Sequence, residues 1–152
     1  MGYTHYWYRE RIIDPAIYNK IVSDFKKLRE ELLQNGVLLA GLSGDGVPII
    51  TDCQVYFTGS AKSQGSGEPF KFDRELQFDN VRPRKIDDTI LQFTKTEGFP
   101  YNLAVMAFLV IAKYYLDGHI IIQSDGASED WTCARELCQR ILEYGDDFKL
   151  DK

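Results

Sequence analysis

Residues 91–141, LQFTKTEGFPYNLAVMAFLVIAKYYLDGHIIIQSDGASEDWTCARELCQRI, decide the fold. They read as strand, buried helix, strand, a Ser124-Asp125-Gly126 turn and an amphipathic helix. The first helix, spanning Tyr101 to Leu116, has no polar side chain from Leu103 to Ala112. A helix that is apolar all round is stable only when covered on most sides. Ile120, Ile121 and Ile122 follow one another without polar alternation, the pattern of a strand covered on both faces. Together these segments predict a hydrophobic βαβ unit. If its two strands run parallel, their carboxyl ends share one edge, which would carry Thr94, Lys95 and Thr96 beside Ser124, Asp125 and Gly126. Ligands of open α/β sheets bind beyond such ends, near the N–H groups of helix N-termini.

Outward from this unit, Tyr3 to Arg9 reads as a strand with Tyr3, His5 and Trp7 on one face and Thr4, Tyr6 and Tyr8 on the other. One face could floor a binding site, with rings for stacking and Thr4, His5 or Tyr6 for hydrogen bonds; core packing is the competing reading. Asp14-Pro15 is a helix start, and Ile17, Ile21, Phe25, Leu28 and Leu32 recur at helical spacing up to an Asn35-Gly36 cap. Gln54–Thr58 and Phe70–Phe78 form an expected hairpin around a polar, mobile loop at 59–69. A last helix starts near Ser128, whose hydroxyl is its expected cap, with Trp131, Ala134, Cys138 and Ile141 inward. The acidic tail 145–152 is expected to fray. The resulting class is α/β, with α+β as the alternative: one globular domain over 1–152, a single mixed sheet, about three helices, one βαβ unit and a hairpin.

The chain has 152 residues, 44% of them hydrophobic, enough for one substantial core. Its net charge of −5 argues against nonspecific nucleic-acid binding, which needs concentrated Lys and Arg. The N-terminus MGYTHYW lacks the pattern of a signal peptide, and no apolar run is long enough to span a bilayer. A cytoplasmic protein without membrane contact is therefore expected. Cys53, Cys133 and Cys138 show no zinc spacing and read as buried small apolar residues, with no metal site and no cofactor.

Around the expected rim, Lys95 and the Arg82/Arg84 pair are cations suited to phosphate or carboxylate oxygens. Asp125 would suit ribose hydroxyls, an amine or a base edge. The expected site comprises Thr4, His5, Tyr6, Trp7, Arg82, Arg84, Lys95, Thr96, Ser124, Asp125 and Trp131. It points first to a non-enzymatic binder of a nucleotide-like or phosphorylated small ligand, with a homo-oligomer compatible with such a site. A second reading is a small hydrolase using His5 and Asp125 as acid and base, which requires the first strand to lie beside the isoleucine strand. His119 is read as the start of that buried strand. A third is a protein-binding inhibitor whose acidic surface blocks a host partner.

The start MGYTHYW, the FTKT followed by PYN ahead of the apolar helix, and the SDG followed by Trp131 resemble a family of small uncharacterised proteins of bacteria and their phages. Its middle motif is similar to FCKT and then PYD, so Thr94 and Asn102 stand here in place of a cysteine and an aspartate. The resemblance implies that Thr4 to Trp7, Thr94 to Thr96 and Ser124 to Asp125, with Trp131, cluster in one site. It also implies, by analogy of context, a phage-encoded protein that sequesters a nucleotide signal of host defence in the bacterial cytoplasm.

Overall fold

The computed structural model describes residues 3–41, 46–60, 68–76, 85–86, 89–98 and 100–151, with the backbone alone described at 85, 86 and 89. Strand β1 (Thr4–Arg9) leads into helix α1 (Pro15–Gln34), then come the short strands β2 (Leu39–Ala40) and β3 (Ile49–Ile50). β4 (Val55–Gly59), β5 (Phe70–Lys71), β6 (Lys85–Ile86) and β7 (Thr89–Lys95) follow, then helix α2 (Asn102–Leu116), β8 (Ile120–Ser124) and α3 (Thr132–Leu142). The class is α+β with three helices.

The strands form two antiparallel sheets where one mixed sheet was expected. The larger has the order β6-β7-β1-β8, and the smaller the order β2-β4-β3 with β5 also on β4. β1 runs antiparallel to both β7 and β8, so these two are parallel to one another, as expected, but are not neighbours. The βαβ unit is split, and the N-terminal strand occupies the gap. The expected hairpin pairs Tyr56 with Lys71 and Phe57 with Phe70.

The alternation along β1 separates two environments. His5, Trp7 and Arg9 point inward and are at most 1% exposed. Trp7 meets Phe70 and Phe72, and Phe25, Phe57 and Phe108 complete one aromatic cluster that joins both sheets to α1 and α2. α2 packs against α1, α3 and β8, which explains its lack of a polar face. Arg9 is held by the carbonyls of Glu10, Asp73 and Arg74 and lies over the Phe72 ring. Burial lowers its pKa to about 10, which still leaves it charged at neutral pH.

Several local expectations differ. The α1 cap is as read, Asp14 Oδ2 accepting from the N–H groups of Ala16 and Ile17 at 3.1 and 3.2 Å. Ser128 does not cap α3: it opens a 3-10 turn, Ser128–Trp131, in which Asp130 Oδ2 accepts from Ala127 N–H at 2.8 Å. The triple isoleucine is covered on one face, since Ile120 and Ile122 are buried while Ile121 is half-buried on the other. His119 is exposed in a 3-10 turn, its Nδ1 3.2 Å from the Glu10 carboxylate. Of the cysteines only Cys138 is buried; Cys53 and Cys133 are exposed.

The tail, expected to fray, is fastened to the outer edge of β8. Asp151 N–H donates to Ile122 O, and its carboxylate accepts from Ile122 N–H at 2.8 Å and from Lys113 Nζ at 3.1 Å. Phe148 stacks on Trp131. These contacts satisfy backbone groups that an edge strand otherwise leaves open. Among the described residues, no helix is long and apolar enough to cross a membrane.

Candidate functional site

The register brings the strand ends together. Thr4 lies opposite Lys95 on one side, and on the other side His5 lies opposite Ser124. Asp125 N–H donates to Thr4 O at 2.9 Å, and Thr4 N–H donates to Asp125 Oδ2 at 3.1 Å. Lys95 and Asp125 thus flank Thr4 on one rim, about two strand spacings or roughly 10 Å apart. Both are exposed. Tyr6 OH reaches Asp125 Oδ1 at 3.3 Å.

Behind this rim, on the inner face, is a directed chain of hydrogen bonds. His5 Nδ1 is 2.8 Å from Ser124 Oγ and His5 Nε2 is 2.6 Å from Asn102 Oδ1. Thr96 Oγ1 also donates to Asn102 Oδ1, at 2.7 Å, while Asn102 Nδ2 faces Met106 Sδ. An amide oxygen only accepts, so His5 carries its proton on Nε2 and leaves Nδ1 to accept from the Ser124 hydroxyl. Gly126 N–H donates to Ser124 Oγ at 3.0 Å. The imidazole is fully buried, with Tyr3 and Trp131 meeting it edge-on. Burial lowers its pKa to about 4 against the opposing pull of the Asn102 hydrogen bond and the Asp125 charge, so His5 is neutral near pH 7.

Gly126 is required by this packing. A Cβ there would lie 1.9 Å from the Tyr3 hydroxyl oxygen, which occupies that space. Burial, then the Asp130 carboxylate, raises the Tyr3 phenol above its ordinary value and keeps it protonated.

The expected site residues therefore separate into three groups. Tyr6, Lys95, Ser124 and Asp125 lie at or near the surface of the rim. Thr4, His5, Thr96 and Trp131 lie beside it but are buried, at no more than 3% exposure: His5 bonds Ser124 and Asn102, Thr96 bonds Asn102, the Thr4 backbone bonds Asp125, and Trp131 meets the His5 ring while its Nε1 has no hydrogen-bond partner among the described residues. Trp7 belongs to the core, its Nε1 donating to Gln92 Oε1 at 3.0 Å. Arg82 and Arg84 fall outside the described residues, as does the loop 61–67. The expected His5–Asp125 pair is close in space, β1 lying beside β8 as that reading required, but the two ring nitrogens of His5 bond Ser124 and Asn102.

Two contributors went unselected in the sequence. Asn102 is a short amide at the first position of α2, directly before its apolar run, and that contrast was its signal. Phe93 shares the parity of Leu91 and Lys95, and it is 53% exposed on the outer face beside Tyr6, ring centroids 6.4 Å apart. Tyr8, Leu91, Ile121 and Gln123 extend that face and are half-buried. Two clefts of about 340 Å³ lie elsewhere, one between α2 and the tail, the other between α1 and β2–β3, and no rim residue lines either. The ring-bearing sheet face, which offers directed polar groups, carries more chemistry than those clefts. Among the described residues, no group of three or more His, Cys, Asp or Glu side chains is placed to hold a metal ion.

No protein-family model matches the chain, and neither the curated proteins nor the solved structures include a match to it.

Proposed function

We propose that the protein binds a small nucleotide-like ligand on the outer face of the four-stranded sheet and releases it unchanged. The observation that carries this reading is the exposure of Phe93 next to Tyr6, two rings on adjacent strands at the rim that holds Lys95 and Asp125. A nucleobase stacks on such a surface, gaining about 1–3 kcal/mol per aromatic contact. Asp125 and Tyr6 supply an acceptor and a donor for base or ribose groups, and Lys95 supplies the cation for phosphate on the far side of Thr4. Sequestration of a nucleotide signal in a bacterial cytoplasm, the role implied by the phage-family resemblance, needs no more than this.

Thermal denaturation against a panel of mono-, di- and cyclic nucleotides tests the reading. A ligand at 100 times its Kd stabilises the fold by about 2.7 kcal/mol, which for a domain of this size is a rise of roughly 5–10 °C in Tm. Phe93→Ala should remove most of that rise while leaving the free protein's Tm within about 2 °C, because the ring is half in solvent. Mass spectrometry should return the ligand intact. A flat response across the panel would refute the proposal.

A further inference from the structure

We propose that Ser124, His5 and Asn102 form a proton relay that makes Ser124 Oγ a nucleophile toward neutral or cationic carboxylic esters. This goes beyond ligand binding and does not depend on it, since the relay lies on the inner face of β1 and the ring surface on the outer one.

Three residues far apart in sequence, from β1, the end of β8 and the first turn of α2, meet at 2.8 and 2.6 Å. Their protons point one way. Asn102 Oδ1, accepting from Thr96 as well, holds Nε2 as the donor, and the lone pair of Nδ1 faces the serine hydroxyl. This is the order of roles that an acyl-transfer triad needs, with the two ring nitrogens exchanged and an amide as the orienting group. Ser124 is half-buried at a strand end, where the chain turns through Asp125 and Gly126. Asp125 beside it disfavours an anionic phosphate ester, which leaves a neutral or amine-bearing acyl group.

In the first step, Ser124 Oγ bonds to the carbonyl carbon while its proton passes to His5 Nδ1. The Gly126 N–H and the Tyr3 phenol, both hydrogen-bonded to Ser124, are donors beside the reacting centre that would turn to the tetrahedral oxygen. Collapse breaks the bond to the alcohol, which leaves with the proton from His5. Water then attacks the acyl-serine by the same route, giving the acid and regenerating Ser124. His5 is the base; Asn102 and Thr96 are positioning residues.

An alkyl fluorophosphonate tests the nucleophile directly: Oγ–P forms, P–F breaks, fluoride leaves and the proton passes through His5 to solvent. Peptide mapping of the labelled wild-type protein should place one adduct on Ser124. His5→Gln should slow labelling about 100-fold or more. Asn102→Asp places a carboxylate where it stabilises the imidazolium, and should speed labelling about ten-fold, a gain that a merely structural role would not produce and that does not require the His5 variant to fold. Absence of a Ser124 adduct on folded wild-type protein, labelling only at another serine, or equal rates in wild type and Asn102→Asp would overturn the proposal.

Discussion

Acid should destabilise this protein through His5 in a way that one substitution reveals. The imidazole is buried, and its pKa falls to about 4 when folded, against about 6.5 in an unfolded chain. A depressed pKa means that the unfolded state takes up the proton first as pH falls. Above pH 6.5 both states are neutral and the full stability is present; between 6.5 and 4 it declines; below 4 the loss is complete. The integrated loss is about 2.303RT per pH unit of difference, or roughly 3 kcal/mol, of which about 2 kcal/mol has gone by pH 5. Urea unfolding of wild type and His5→Gln at half-unit intervals from pH 7.5 to 4.5 measures this. The remaining ionisable groups are common to both proteins, so the difference between the two stability curves isolates His5. It should shift by about 2 kcal/mol in favour of the variant between pH 7.5 and pH 5. A difference that stays flat within about 0.5 kcal/mol would mean that the imidazole is solvated or charged in the fold, and the hydrogen-bond directions assigned to Ser124 and Asn102 would fail with it.

Gly126→Ala should cost about 1–3 kcal/mol by forcing Tyr3 away; the same change in a Tyr3→Ala background should cost much less, and a thermal double-mutant cycle reads the coupling. Asp151→Ala removes the carboxylate partner of Lys113, which keeps its bond to the Ile120 carbonyl, and the acceptor of the Ile122 amide, so chemical denaturation should show a loss of about 1–3 kcal/mol, with faster amide exchange at Ile122. Phe108→Ala opens the aromatic cluster under both sheets, and calorimetry should find about 3–5 kcal/mol lost.

Much of the architecture was legible because side-chain periodicity reports environment. The i, i+3, i+4 spacing of Ile17, Ile21, Phe25, Leu28 and Leu32 marked α1, and the unbroken apolar run marked α2 as central. Parity along β1 correctly divided His5 and Trp7 from Tyr6 and Tyr8. Strand order was not legible, since parity assigns faces and says nothing about neighbours; nothing local shows that the first strand enters between β7 and β8. The isoleucine run was misleading for a related reason. Ile121 faces the open side and is half-buried there, and an edge strand with that content resembles a fully covered strand in composition. The tail was misjudged from its charge: Asp147 and the residues near it read as solvated, yet Asp151 supplies the two bonds that β8 leaves open, and Phe148 is held by Trp131.

The insertion of β1 also explains how one short segment serves two kinds of chemistry. A strand that pairs on both sides has its backbone fixed by β7 and β8, so successive residues are committed to opposite faces of the sheet. His5 is thereby held among Tyr3, Trp131 and Asn102 in a water-poor setting that keeps it neutral, while Tyr6, one residue on, stands beside Phe93 in solvent contact. Asp125 bonds the Thr4 amide and the Tyr6 hydroxyl, and its charge acts on His5 behind them. Substitutions at Tyr6 or Phe93 should therefore alter ligand binding without changing the labelling of Ser124, and substitutions at Asn102 should do the reverse. Asp125→Asn is the one change expected to move both, because it removes the charge that acts on His5 and exchanges one of the two acceptor oxygens at the ligand face for an NH2 donor.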